Sequence, residues 1–293
     1  MSNSVKQPNW MVKSLYSLSI TLSSVLLFIN CYQAPVTGRS QLILLPPQQV
    51  DQMGVTAFQE VVKKEGVSNN RRYNEAVRRV ASRITRVSDT PNYNWEYRVI
   101  DDDDTINAFA LPGGKIGVYT GILPIAKNDA GLATVLAHEV GHVAAHHGAE
   151  RLSAGILAEL GAAGLGVALS NKDPGVVNAV MQAFGLGVTV GGILPFSRNQ
   201  ESEADRIGLI YMARAGYDPR ESIGFWQRMA DATKNKPRPP QFLSTHPGSG
   251  TRITNLQKWM PEAMYYYERS NKATNSLISL EEKEYKEARN AFH

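Results

Sequence analysis

The pentapeptide His-Glu-Val-Gly-His at 138–142 constrains this chain most, because it lies inside a helical pattern that runs from about 128 to 152. Histidines four positions apart share one helix face, so one zinc ion could accept a nitrogen from each of His138 and His142. Glu139 is rotated about 100° from His138, so it flanks such an ion and can take a proton from an attacking water. The alternative is a buried helix with two structural histidines.

A catalytic zinc site needs a third protein ligand, and Glu201 is the best candidate in the sequence. It lies in a helix predicted from about 199 to 215, where Asp205 follows one turn later on the same face. Glu201 can therefore bind the ion while Asp205 accepts the second N–H of a ligating histidine.

Three nearby ionisable residues are left out of this ligand set. His146 lies eight residues after His138, which is about 12 Å along a helix axis, so one ion cannot contact both. His146 and His147 are therefore predicted to be helix-end residues. Glu203 is rotated about 200° from Glu201, which predicts an acid on an exposed helix face.

Composition narrows the class of protein. The 293 residues are 43% hydrophobic and 20% charged, which is ordinary for a globular chain. The net charge of +4 is mild and no dense Lys/Arg patch is present, so we predict no nucleic-acid partner. Cys31 is the only cysteine, which excludes an internal disulfide and a zinc site built from several cysteines.

Residues 1–30 have the pattern of an export signal or a membrane anchor. Lys6 and Lys13 precede an uncharged, largely apolar stretch over 14–30. The first arginine of the chain is Arg39, which argues against an arginine-rich mitochondrial transit peptide. Cys31 follows directly, at the place of a lipoprotein's acylated cysteine, so lipidation and an uncleaved anchor are both open. We predict membrane association and a cell-envelope location on the periplasmic side.

Four segments together resemble the gluzincin family of HtpX and CAAX prenyl proteases. They are the pentapeptide at 138–142, Ser-Arg-x-x-Glu-Ser-Glu-Ala-Asp-Arg-x-Gly at 197–208, Ser-Thr-His-Pro at 244–247 with Arg252-Ile253, and Asn-Ala-Phe-Ala-Leu-Pro-Gly-Gly at 107–114. The resemblance covers about 45 to 260 and is strongest to the compact exported members of the BepA/LoiP and mitochondrial Oma types. The chain differs from HtpX, which has several transmembrane helices, and from BepA, which has C-terminal tetratricopeptide repeats.

The resemblance implies an α+β, zincin-like fold, mostly helical with a small sheet beside the active-site helix, and one Zn²⁺ per chain. We expect a linker at 31–46, a zinc metallopeptidase domain at 47–270 and a C-terminal helical tail at 271–293. The apolar segment at 153–196 is predicted to be a lid or helical hairpin over the cleft, or a partly membrane-embedded hairpin.

Hydrophobic periodicity predicts helices over about 47–64, 70–87, 199–215, 251–269 and 280–291, and strands over 94–100, 105–111 and 115–122.

Two further assignments come from the same resemblance. It implies that the loop of His246 reaches the zinc site, where the imidazole could stabilise an oxyanion or occupy the open metal position at rest. We favour the regulatory role because the surrounding loop, 237–250, is rich in Pro and Gly and is expected to be mobile. A surface histidine is the alternative, and Arg252 is expected to brace this loop or an acidic ligand.

The strand of Asn107, Ala108, Phe109 and Ala110 is expected to pair with an extended substrate backbone, unless it is an ordinary internal strand. Backbone pairing demands little of the substrate's sequence, which fits a zinc metalloendopeptidase acting on unfolded or misassembled envelope proteins. The alternative function is a zinc-stabilised chaperone or assembly factor that binds such proteins without cutting them. Glu139 favours the enzyme, because a binding protein needs no acid beside the metal.

Overall fold

The structure is a computed structural model, and it describes residues 30–160, 196–234, 239–246 and 250–276. Its elements in chain order are β1 (Asn30–Gln33), β2 (Ser40–Ile43), α1 (Pro47–Glu65), α2 (Arg71–Val87), β3 (Glu96–Ile100), β4 (Ala108–Leu111), β5 (Lys115–Tyr119), α3 (Leu123–Ala126), α4 (Asp129–Ala144), α5 (His147–Leu160), α6 (Arg198–Arg214), α7 (Glu221–Thr233), α8 (Gln241–Thr245) and α9 (Arg252–Arg269). Among these described elements, no helix is both long and apolar enough to cross a bilayer.

Three predictions concern segments that lie outside the described residues. They are the signal or anchor up to residue 29, the lid or hairpin over 161–195, and the helix at 280–291. The described part of the C-terminal tail, 271–276, is irregular.

Two small sheets accompany the helices. The larger has the order β3-β5-β4, with β3 parallel and β4 antiparallel to β5, so β4 is the edge strand nearest to α4. β1 and β2 form a separate antiparallel hairpin that packs on α5. This corrects the prediction of a linker at 31–46. The hairpin forms because Ile43 and Leu45 bury their side chains in a core shared with Phe58.

Helix α4 occupies the centre of the fold, and all sixteen of its residues are buried. Asn128 caps it by accepting a hydrogen bond from the backbone N–H of Gly131 at 2.8 Å. Helix α6 packs against it closely because a glycine faces the contact: a Cβ at Gly208 would lie 2.8 Å from the backbone nitrogen of His138. The two helices run antiparallel, so the first turn of α6 comes beside His142.

The helix predicted over 128–152 is broken. α4 ends at Ala144, His146 adopts the left-handed region with φ +50°, and α5 begins at His147. A histidine in this region costs about 1–2 kcal/mol of backbone free energy, which the surrounding packing must offset. The break turns α5 away from the axis of α4, and His147 comes back against His142 instead of pointing onward from the helix end.

Candidate metal centre and active site

Four side chains that can bind a metal converge at the contact between α4 and α6. His138, His142, Glu201 and His246 each offer one ligand atom, and these atoms lie within 4.8 Å of one another. The Nε2 atoms of His138 and His142 are 3.1 Å apart, and Glu201 Oε1 is 3.3 Å from His142 Nε2. The three residues predicted as ligands are thus brought together, and His246 joins them.

The donor set fits zinc. Two imidazoles and one carboxylate are ordinary ligands of a catalytic zinc ion, which keeps a further position for water or substrate. Both helix histidines turn Nε2 towards the cluster and Nδ1 outward: His138 Nδ1 is 2.9 Å from Asp205 Oδ1, and His142 Nδ1 is 2.8 Å from His147 Nδ1. Such outer partners orient ligating rings before a metal arrives.

Arg252 contacts the acidic ligand and its neighbour. Its Nε donates to Asp205 Oδ2 at 2.6 Å, its Nη2 donates to Glu201 Oε2 at 2.7 Å, and its guanidinium lies 3.9 Å from the Trp226 ring centroid. Burial opposes ionisation of Glu201, but His246, His138 and His142 lower its carboxyl pKa well below the ordinary value. Glu201 is therefore a carboxylate, the form that binds a metal.

Glu139 lies beside the cluster without belonging to it. The residue is 2% exposed, and its carboxylate lies near the backbone of Ala110 in β4. Burial raises the pKa of Glu139, although the nearby histidines oppose the shift. A carboxylate with a raised pKa is a stronger proton acceptor, which suits the role of general base.

His246 is buried beside the ligand cluster, which excludes the alternative of a surface histidine. It follows helix α8, is 3% exposed, and its ring lies between Phe196 and Phe242, with centroids 5.2 Å and 4.8 Å away. Its Nδ1 is 3.0 Å from Glu201 Oε1, and its Nε2 is 3.5 Å from Glu139 Oε1. It therefore faces both the ligand cluster and the acid beside it.

The prediction of an exposed Glu203 is wrong, because this acid is buried against His147, the first residue of α5. His147 is fully buried and Glu203 is 7% exposed, and His147 Nε2 is 2.9 Å from Glu203 Oε2. Although burial opposes it, hydrogen bonds from His147, Thr37 and Arg39 lower the pKa of Glu203 to about 2. No local pattern marks this contact, because it depends on the break after α4 and on the hairpin far away in the chain.

The predicted substrate strand lies along this site. The carbonyl of Asn107 accepts from the Tyr119 N–H at 3.0 Å, so the backbone groups of Ala108 and Ala110 point away from β5, towards the side of β4 that has no strand partner among the described residues. Asn107 Oδ1 is buried and has no hydrogen-bond partner among the described residues. An adjacent pocket is lined by Ala110, His142 and Phe196 together with apolar residues of the hairpin and α1.

The site combines two histidines and one glutamate in a buried cluster between antiparallel helices. A second glutamate follows the first histidine, and a small sheet lies alongside. This arrangement defines a zincin-type metallopeptidase. The chain belongs to peptidase family M48, whose sequence profile matches residues 70–260. The predicted family, the α+β zincin-like fold class and a zinc-dependent peptidase are thereby confirmed.

The similar proteins include OMA1 metalloendopeptidases and beta-barrel assembly-enhancing proteases. The mitochondrial metalloendopeptidase OMA1 of Schizosaccharomyces pombe is 35% identical over 264 residues, which cover 88% of this chain and 74% of that protein. The human metalloendopeptidase OMA1 is 32% identical over 284 residues, covering 88% of this chain and 52% of its own length. A putative beta-barrel assembly-enhancing protease of Vibrio cholerae is 34% identical over 163 residues, covering 53% of this chain and 33% of that protein. The chain thus spans about half the length of the human relative.

Proposed function

We propose that this protein is a zinc metalloendopeptidase that cleaves unfolded or misassembled membrane and envelope proteins. The observation that carries the proposal is the placement of Glu139, which lies between the ligand cluster and the edge strand β4, with its carboxylate near the backbone of Ala110 in that strand. A base held between a metal site and a strand edge can act on a peptide bond in a polypeptide bound to that edge.

The proposed mechanism assigns one step to each group. His138, His142 and Glu201 would hold the ion, which when bound polarises the scissile carbonyl and lowers the pKa of water. An extended substrate pairs with the outward backbone groups of Ala108, and Asn107 Oδ1 accepts a substrate N–H. Glu139 takes the proton of the attacking water and transfers it to the leaving amine.

Pairing through the backbone also limits the substrate class. A folded protein offers few unpaired strands, whereas an unfolded or misassembled chain offers many, so selection acts on folding state more than on sequence. The names of the relatives support this proposal, since one group is called metalloendopeptidase and the other enhances β-barrel assembly. We further propose membrane association through residues 1–30 or a lipidated Cys31, and a location on the periplasmic side of an envelope.

The direct test uses one substrate protein in a folded and a permanently unfolded form. We expect the zinc-loaded protein to cleave only the unfolded form, a metal chelator to stop cleavage, and added zinc to restore it. Fragment masses by mass spectrometry give the internal cleavage sites. A zinc-loaded protein that binds the unfolded form and leaves it intact would overturn the proposal in favour of the chaperone.

His246 is expected to restrain the enzyme at rest, because its imidazole completes the four-residue cluster and so occupies space that water needs. We predict that His246→Ala raises basal cleavage of the unfolded substrate by about tenfold at equal zinc content, which corresponds to an open form populated near 10%. Ser244→Ala, on the same short helix, is the matched control and should leave the rate unchanged. A fall in kcat of about a hundredfold would instead indicate an oxyanion-stabilising group.

A further inference from the structure

We propose that His147 and Glu203, held in place by Arg39, are positioning residues that fix the ring and the proton of His142 and thereby strengthen zinc binding. The inference rests on the zinc site of the proposed function and deepens it. Neither the local sequence nor the spacing of the ligand motif assigns any role to these three residues, yet the structure connects them in one continuous network.

The first link lies between two imidazoles. His142 Nδ1 and His147 Nδ1 are 2.8 Å apart, which is hydrogen-bond distance. Two nitrogen lone pairs at this distance repel each other, and two N–H groups would clash, so a single proton must lie between them. When Nε2 of a neutral His142 binds a metal, its proton is on Nδ1. His142 therefore donates and His147 accepts.

The second link fixes the tautomer of His147. Because its Nδ1 accepts, the neutral ring carries its proton on Nε2, and this atom is 2.9 Å from Glu203 Oε2. A carboxylate can only accept, so it selects the one tautomer of His147 that leaves Nδ1 free for His142. The carboxylate also increases the electron density of both rings, which makes His142 a stronger ligand.

The third link anchors the carboxylate to the N-terminal hairpin. Arg39 Nε donates to Glu203 Oε2 at 2.8 Å, and the Thr37 hydroxyl donates to Oε1 of the same group. Arg39 is itself held by two parallel hydrogen bonds to Glu150 of α5, at 2.6 and 2.8 Å. Glu203 therefore has little freedom to rotate, and the hairpin before residue 47 becomes part of the zinc site.

The two helix histidines are supported differently. His138 meets its carboxylate, Asp205, directly, whereas His142 reaches Glu203 only through the ring of His147. The reason is geometric: Glu203 lies two residues after Glu201 and so on another face of α6, out of reach of His142. His147 fills the gap because the left-handed turn at His146 brings it back against α4.

The test separates the hydrogen bond from packing by two substitutions of one residue in the full chain. Asn places an amide oxygen close to where imidazole has Nδ1, so His147→Asn keeps an acceptor for His142, whereas His147→Leu keeps only bulk. We expect His147→Leu to weaken zinc binding about 10- to 100-fold and His147→Asn to stay within about threefold of wild type. Zinc Kd is measured by competition with a chromophoric chelator, and circular dichroism checks the fold.

Glu203→Gln provides a second test that does not alter the buried ring. We expect about tenfold weaker zinc binding, because a neutral amide polarises His147 less than a carboxylate does. Its NH₂ group can also donate to His147 Nε2, which reverses the hydrogen bond. The matched control is Glu262→Gln, which removes an ion pair to Arg206 elsewhere on α6 and should leave the zinc Kd unchanged.

Two results would overturn the inference: a zinc Kd for His147→Leu and Glu203→Gln within about threefold of wild type, or equal losses in His147→Asn and His147→Leu. If His147→Leu does not fold, the comparison of Glu203→Gln with Glu262→Gln decides. Zinc binding needs no substrate, so the two proposals fail separately. A wild-type chain that binds zinc but cleaves nothing would refute the peptidase and leave this inference standing.

Discussion

Glu139→Gln should abolish proteolysis while the protein keeps its fold and its zinc. The amide has nearly the shape of the carboxylate, so packing at this buried position is preserved. It cannot take a proton from water, and loss of a general base costs about 100- to 10,000-fold in rate. We expect kcat for the unfolded substrate to fall by at least about 100-fold, while the zinc content and the circular dichroism spectrum stay unchanged.

A suitable control for this variant is Glu60→Gln, which makes the same chemical change on the surface of α1. It should cleave at the wild-type rate. Wild-type turnover by Glu139→Gln would refute the proposed mechanism, since no other carboxylate among the described residues faces both the ligand cluster and β4.

The double variant His138→Ala/His142→Ala should lose zinc altogether. Removing both imidazoles leaves Glu201 and His246, and two ligands on separate segments cannot hold the ion well. We expect elemental analysis to find about one zinc per chain in the wild type and close to none in the variant. The loss of zinc should also lower the thermal midpoint, because an ion that binds only the folded chain stabilises it.

His146→Asn is the matched control for this pair. His146 lies in the same part of the chain but outside the cluster, and asparagine tolerates its left-handed backbone conformation better than alanine does. The control should retain one zinc per chain. Full zinc occupancy in the double variant would show that the ion binds elsewhere.

The local sequence was enough to place the chemistry on α4. His138, Glu139 and His142 lie within five residues, so the period of a single helix determines which of them share a face. Glu201 and Asp205 could be paired for the same reason, since they are one turn apart on α6. The zincin-like class was implied by the resemblance of four segments to a known family, and the family match confirmed it.

The tertiary structure alone decided how His142 is supported. His147, Glu203 and Arg39 come from α5, α6 and the hairpin, and their contacts span 56 and 164 residues of sequence. No helix or strand period relates residues so far apart. The helix break at His146 was equally hidden, because its left-handed backbone is stabilised by packing and not by local propensity. His246 is buried for the same reason: Phe196 and Phe242 enclose its ring only after the chain has folded.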